Sequence, residues 1–234
     1  MKFYIKLFSL IFAAVISAEA HTASKTIQTL GLVNLPKSDD LAAKVINEII
    51  QTKIKPISQQ ESIITAIKQQ NIEFTDIHEI KIIAMDKKWR LETEKLGSSP
   101  INHPLIKKLL DRTASKKLRS IKEKQRGLFT EIIVTDNKGL NVAISDITSD
   151  YWQGDEDKWQ KTFKVGPEAI FIDEPDLDES TQAFQLQVSI TINDPHNNQS
   201  IGSLTVGLDL DLLELLLEDE VEVSSFNNRN LLNE

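Results

Sequence analysis

The 234 residues carry 35 acidic and 27 basic side chains, a formal net charge of −8, and no cysteine. That length suits one domain or one and a half, and the missing thiols exclude disulfides, thiolate zinc sites and cysteine catalysis. Hydrophobic residues make up 40% of the chain, which is enough to build a core without covalent staples.

The first twenty residues read as a secretory signal. Lys2 and Lys6 form a basic start, an apolar run from Leu7 to Ile16 is interrupted only by Ser9, and Ala18-Glu19-Ala20 puts small residues where a signal peptidase needs them. Cleavage is expected after Ala20. The run is shorter than the roughly 20 residues of a membrane span. The later run Leu212 to Leu217 is flanked by Asp209, Asp211, Glu214, Glu218, Asp219 and Glu220, which excludes a span there as well. A periplasmic or secreted product is expected.

Residues 21–38 read as an extended leader. Ser38 or Asp39 can cap a helix whose apolar positions are Leu41, Ala42, Val45, Ile46, Ile49 and Ile50. Pro56 is expected to break it. Ser58 and Glu61 have capping-box spacing for a second helix with Ile63, Ile64 and Ile67 on its inner face. A third helix is expected from Thr75 or Asp76 to Gly97, with Ile77, Ile80, Ile83, Ala84 and Leu91 as its apolar stripe. A fourth should run from Pro104 to Glu123.

The pattern then changes. Leu128 to Thr135 reads as a buried strand, Asp136-Asn137-Lys138-Gly139 as a tight turn with positive φ at Gly139, and Leu140 to Ser145 as the returning strand. A polar-aromatic segment, 146–163, follows. Ala169 to Ile172 is a short strand, and 173–181 an acidic loop. Phe184 to Ile192 alternates strictly, Phe184, Leu186, Val188, Ile190 and Ile192 opposing Gln185, Gln187, Ser189 and Thr191. Ile201 to Leu208 is the last strand, a helix over 210–217 closes the fold, and 219–234 is an acidic tail. Helices followed by a strand meander predict an α+β fold.

Charge divides along the chain. Residues 21–126 hold 20 basic against 12 acidic residues, and residues 127–234 hold 5 against 22. The lysines are scattered among helical positions, so they read as a solvated face, with no nucleic-acid partner expected.

Three stretches resemble one family when taken in order with the helix MDKKWRLE (85–92). They are the hairpin IIVTDNKGLNVAISD (132–146), the segment DYWQGDEDKWQKTF (150–163) and the strand-to-helix passage SIGSLTVGLDLDLLE (200–214). Together they resemble the extracellular Cache (PDC) sensors, PAS-like domains in which long N-terminal helices pack on a central antiparallel sheet. The resemblance spans roughly 75 to 217. It implies a sensor domain over 76–218, preceded by a leader and helices over 21–75, with a ligand pocket under the 150–163 segment. Signalling members continue into a membrane span and a kinase, cyclase or chemotaxis module. A free-standing sensor, working with a membrane-bound partner, is the expectation here.

The candidate ligand-binding residues follow from that segment and from the strand opposite. Asp150, Tyr151, Trp152, Asp155 and Trp159 mix aromatic walls with carboxylates, as small-ligand pockets do. The tryptophans fit equally well as core anchors. Gln185, Gln187, Ser189 and Thr191 offer neutral donors and acceptors if their strand face looks into the pocket, and face water otherwise, Gln187 and Ser189 being the ones singled out. Arg90 has the guanidinium that pairs with a ligand carboxylate, or with a loop aspartate. The amino-acid-binding branch of the family uses an Arg close before Trp-Tyr, whereas no Arg lies between Arg126 and Arg229.

Asp173, Asp176, Asp178 and Glu179 lack the glycine and terminal glutamate of a calcium loop. The four histidines are far apart, and neither a nucleophile elbow nor a phosphate loop is present. No metal, no cofactor and no catalytic set is expected. The sequence reads as an exported sensory domain for a small polar molecule, carboxylate or amine. The alternative reading is an envelope docking protein on the same scaffold.

Overall fold

The computed structural model describes residues 38–94, 103–177 and 184–219. Helix α1 (Ser38–Ile49) passes through a π-helical turn (Ile50–Ile54) into α2 (Lys55–Ser58). Pro56 therefore does not break the helix. Its missing N–H and its ring are incompatible with a regular i→i−4 turn, and the wider π turn absorbs them within a continuous rod. Ser58 caps nothing ahead of it; its hydroxyl donates to the Lys55 carbonyl at 2.8 Å. Gln60, with extended backbone and no side-chain cap, precedes α3 (Glu61–Glu73).

Helix α4 (Glu79–Thr93) begins three residues later than the sequence suggests. Gly97, its expected stop, lies outside the described residues. The expected fourth helix is two: α5 (Pro104–Leu110) and α6 (Thr113–Lys124). They meet at a corner where the Ser115 hydroxyl donates to the Leu109 carbonyl (2.7 Å) and the Arg119 guanidinium to that of Leu110 (2.8 Å).

The strands are β1 (Phe129–Thr135), β2 (Asn141–Ile144), β3 (Ile170–Ile172), β4 (Asp176–Leu177), β5 (Phe184–Asn193) and β6 (Ser200–Asp209). A short α7 (Asp157–Gln160) lies between β2 and β3, and a last helix, α8 (210–219), follows β6. The sheet order is β2-β1-β6-β5-β3, with β4 also on β5, and every pairing is antiparallel. The turn after β1 has Gly139 at φ 82°, in the left-handed region that glycine enters without steric cost. The α+β expectation holds, with a central antiparallel sheet backed by the N-terminal helices.

Strand alternation gives the sheet two different faces. Register places Val188 opposite Val206 and Ile190 opposite Leu204, with Ile132 and Val134 beside them on β1. This apolar face packs against Ile46, Ile50, Ile54, Ile63 and Ile67 of the first helices and against Ala114 and Leu118 of α6 in one core. The other face carries Gln185, Gln187, Ser189 and Thr191 on β5, Ser203 and Thr205 on β6, and Glu131 on β1. A second cluster joins Trp89 and Ile82 of α4 to Ile133, Leu140, Ile144 and Tyr151.

Helix α4 turns the opposite way from the expected stripe. Ile80, Ile83 and Leu91 are exposed, Ile80 at 82%, while Ile82, Trp89 and Glu92 are buried. The buried side wins because it also does polar work. Glu92 accepts the orphan N–H groups of Leu105 (2.9 Å) and Ile106 (3.0 Å) at the start of α5, and Trp89 Nε1 donates to the Thr148 carbonyl (2.8 Å). Among the described residues, no helix is long and apolar enough to cross a membrane.

Candidate functional site

The segment after β2 is fastened at both ends. Its first part pairs with the 139–141 stretch: Asn141 N–H donates to the Tyr151 carbonyl (3.0 Å) and Gln153 N–H to the Gly139 carbonyl (2.7 Å). From α4, Asp86 Oδ1 accepts the N–H groups of Tyr151 (2.9 Å) and Trp152 (3.1 Å). Further on, Trp159 Nε1 reaches the Asp136 carbonyl (3.1 Å). Asp136 is itself fully buried. It accepts Lys138 N–H and Leu140 N–H on one oxygen and Gln70 Nε2 on the other. Burial pushes the Asp136 carboxyl up despite these donors.

Between this segment and β5 lies a cavity of about 810 Å³. Its walls are Ser149, Glu156 and Lys158 from the segment, Gln185 and Gln187 from β5, and the 173–177 stretch. Behind the glutamines stands Glu131, buried on β1. Glu131 Oε1 accepts Gln185 Nε2 (2.7 Å) and Gln187 Nε2 (2.9 Å). The reach across β6 is possible because the register puts Gly207 between Gln187 and Glu131. A Cβ at Gly207 would strike the side chains of Gln185 and Thr130.

The charges are concentrated and few are cationic. Lys158, largely buried, pairs with Glu156 (2.9 Å). Burial works to lower the Lys158 pKa, but Glu156, Glu131 and Asp150 outweigh it and the net shift is upward, so the ammonium stays charged. Asp150 is pushed up to about 7, first by burial and then by the neighbouring Glu156 carboxylate. Burial also raises Asp173. Among the described lining residues, Glu156, Asp173, Glu174 and Asp176 face one cation, Lys158, with Glu131 and Asp150 behind the wall.

The sequence-selected residues fall into three groups. Gln187 lines the cavity. Asp150 sits just behind Glu156, its Oδ2 receiving Arg90 Nη2 (3.3 Å) and its Oδ1 receiving Gln153 Nε2. The others stand elsewhere. Tyr151 is buried against Trp89, ring centroids 5.5 Å apart, and burial pushes its hydroxyl up to about 12. Trp152 lies at the β2 edge and donates to the Lys138 carbonyl (2.8 Å). Trp159 stacks on Phe163 at 5.1 Å. Ser189 is fully buried and shares a hydrogen bond with Thr205 (2.9 Å). Asp155 is exposed. Arg90 is half exposed and pairs with Asp86 at 2.7 Å as well as with Asp150.

The tryptophans and Tyr151 therefore anchor the segment, and Arg90 pairs with Asp86 on its own helix and with the loop residue Asp150. Gln185, read from the sequence as part of the polar strand face, also lines the cavity, whereas Glu131, Glu156 and Lys158 were not singled out. A single charged residue, Glu131, in the buried strand FTEIIVT is the signal that could have found the first of these three.

Among the described residues, no cluster of three or more His, Asp or Glu has the arrangement of a metal site. Of the acidic loop residues, Asp178 and Glu179 lie outside the described part. Two other cavities exist: one of about 930 Å³ between α2–α3 and the 193–198 hairpin, and one of about 750 Å³ between α3 and the α5–α6 corner. The first is lined by the buried Asp194, whose carboxylate pairs with Lys68 (2.7 Å), and the second by Gln70, which donates to the buried Asp136 carboxylate (2.8 Å).

No protein-family model matches the chain, and no curated protein matches it. Solved structures similar to it include the sensory domain of the Campylobacter jejuni chemoreceptor Tlp3 (CcmL) with isoleucine bound, at 13% identity over 76% of this chain and 66% of that one, TM-score 0.36. The Tlp3 ligand-binding domain in complex with L-norvaline gives 15% identity over 69% and 65%, TM-score 0.37. The sensor domain of E. coli DcuS gives 22% identity over 60% of this chain and 99% of that one, TM-score 0.34. The chain thus spans just under two thirds of the Tlp3 domains it resembles. These three are described as sensory, ligand-binding and sensor domains.

Proposed function

We propose that this chain is an exported sensory domain that binds a small polar molecule carrying an amino group in the cavity between β5 and the 149–158 segment. The observation that supports this reading best is the set Gln185, Gln187, Lys158 and Glu156, oriented polar groups in the cavity wall with the buried Glu131 behind them. Such a wall attracts and orients a cationic group. Lys158 offers a partner for a carboxylate on the same ligand. Occupancy has a route outward. Glu156 neighbours Asp150, Asp150 holds Arg90, and Arg90 lies on α4 beside Asp86, which carries the segment's N–H groups. A ligand that favours one arrangement of this chain of contacts shifts α4 between two populations, and a membrane-bound partner reads α4.

A thermal-shift screen against amines, amino acids, organic acids and sugars tests the proposal. Amino compounds should raise the melting temperature by several degrees at about 100-fold over the dissociation constant, and Glu156→Gln should remove the shift. Stabilisation by dicarboxylates or sugars, with none by amines, would contradict it. The outward Ile80, Ile83 and Leu91 on α4 favour a second reading, an envelope docking protein. That reading predicts no ligand response and a stable complex recovered from envelope extract.

A further inference from the structure

The lysines that look scattered in sequence are gathered by the fold. On α6, positions 113, 116, 117, 120 and 124 fall within about a third of the helix circumference at 3.6 residues per turn. Lys116, Lys117 and Lys124 are all exposed there, and Arg126 follows just past the helix end. Lys108 on α5 is exposed at the same corner. Among the described residues none of these five cations has an ion-pair partner, whereas Lys107 pairs with Asp111 (2.6 Å) and Lys122 with Asp146 (2.6 Å). The nearby Asp111 carboxyl is held below its usual range, by Lys107 first and then by Lys116 and Arg119.

We propose that the exposed lysine face of α6 is an electrostatic docking surface for a bilayer of anionic phospholipid. Three features select a lipid surface over a protein. The face has no apolar or aromatic centre, since Thr113 and Ser120 are its uncharged members, and protein interfaces are built around such a centre. Its three charged positions are all lysine, a compact and flexible point charge that suits a fluid array of phosphates better than a fixed bidentate site, and the exposed Glu123 borders them. It also lies on the far side of the sheet from the cavity, because Ala114 and Leu118 beneath it pack on the apolar face. A docked molecule therefore keeps the β5 cavity open to solvent, although the acidic α8 packs on the same core and Leu212 approaches Gly127 at the end of the lysine face.

Co-sedimentation of the full chain with vesicles tests this. Phosphatidylcholine vesicles with and without phosphatidylglycerol are compared at low and high ionic strength. Binding should require phosphatidylglycerol and be lost at high salt, where screening shortens to about 3 Å at 1 M. The variant K116Q/K117Q/K124Q, changed only at exposed positions, should bind about a hundredfold more weakly, and K116R/K117R/K124R should bind as the parent does. Equal binding to neutral vesicles, or an unweakened Gln variant with a parent-like melting curve, would overturn the proposal. So would capture by an acidic protein with no retention on anionic vesicles.

Discussion

Asp150 shows how one side chain ties the cavity to the rest of the molecule. Its backbone carbonyl accepts Asn141 Nδ2 (3.1 Å) and the Thr148 hydroxyl (2.6 Å), while its carboxyl faces Gln153, Arg90 and Glu156. Burial and Glu156 raise its pKa from 3.8 to about 7. A carboxyl whose folded pKa lies above its unfolded one keeps its proton longer in the folded state. Stability should therefore fall as pH rises from about 4 to about 7 and level off above. Asp136 and Asp173 shift in the same direction, so the comparison must be with Asp150→Asn, which leaves both in place. Urea unfolding across pH 4 to 8 should show the parent losing stability relative to the variant over that interval. Parallel curves would mean that Asp150 ionises normally. At this scale the sequence was a partial guide. It marked the 150–159 segment because aromatic and acidic residues crowd there. It could not show that the aromatic rings point into the scaffold, because that depends on which carbonyl each indole N–H finds.

Helix α4 carries the same lesson at the scale of an element. Both of its faces have apolar residues at helical spacing, Ile80, Ile83 and Leu91 on one and Ile82, Met85 and Trp89 on the other. Periodicity alone does not choose between them. The choice is made by Trp89, whose ring packs on Tyr151 while its N–H satisfies Thr148, and by Asp86 and Glu92, which satisfy backbone donors of two neighbouring segments. Trp89→Ala should destabilise the fold by about 3–5 kcal/mol. Ile80→Ala should stay within about 0.5 kcal/mol. Chemical denaturation of both variants checks this, and a reversed order would restore the stripe read from sequence. The π turn at Ile50–Ile54 is a milder case. Pro56 was legible as a disturbance, but not its outcome, because the helix on both sides is held by buried Ile46, Ile50, Ile54 and Ile57.

For the whole molecule, the two-faced sheet was the most legible feature. Alternation over Phe184 to Ile192 separates Leu186, Val188 and Ile190 from Gln185, Gln187 and Ser189, and the structure keeps that separation across β5, β6 and β1. The polar face was legible as a pocket candidate, but its carboxylate was not, because Glu131 comes from an earlier strand and reaches Gln187 only across Gly207. The resulting layout puts an apolar core and a basic helix on one side of the sheet and an acid-lined cavity on the other. The proposed ligand binding, contact to α4 and membrane docking would then use separate surfaces. The most direct measurement is an NMR titration of the ¹⁵N-labelled chain with an amine that raises its melting temperature. The account predicts shifts in the side-chain amides of Gln185 and Gln187 and in the backbone of 156–158 and 173–177. Shifts gathered instead on α2–α3 and the 193–198 hairpin would place the ligand in the other large cavity and contradict the assignment.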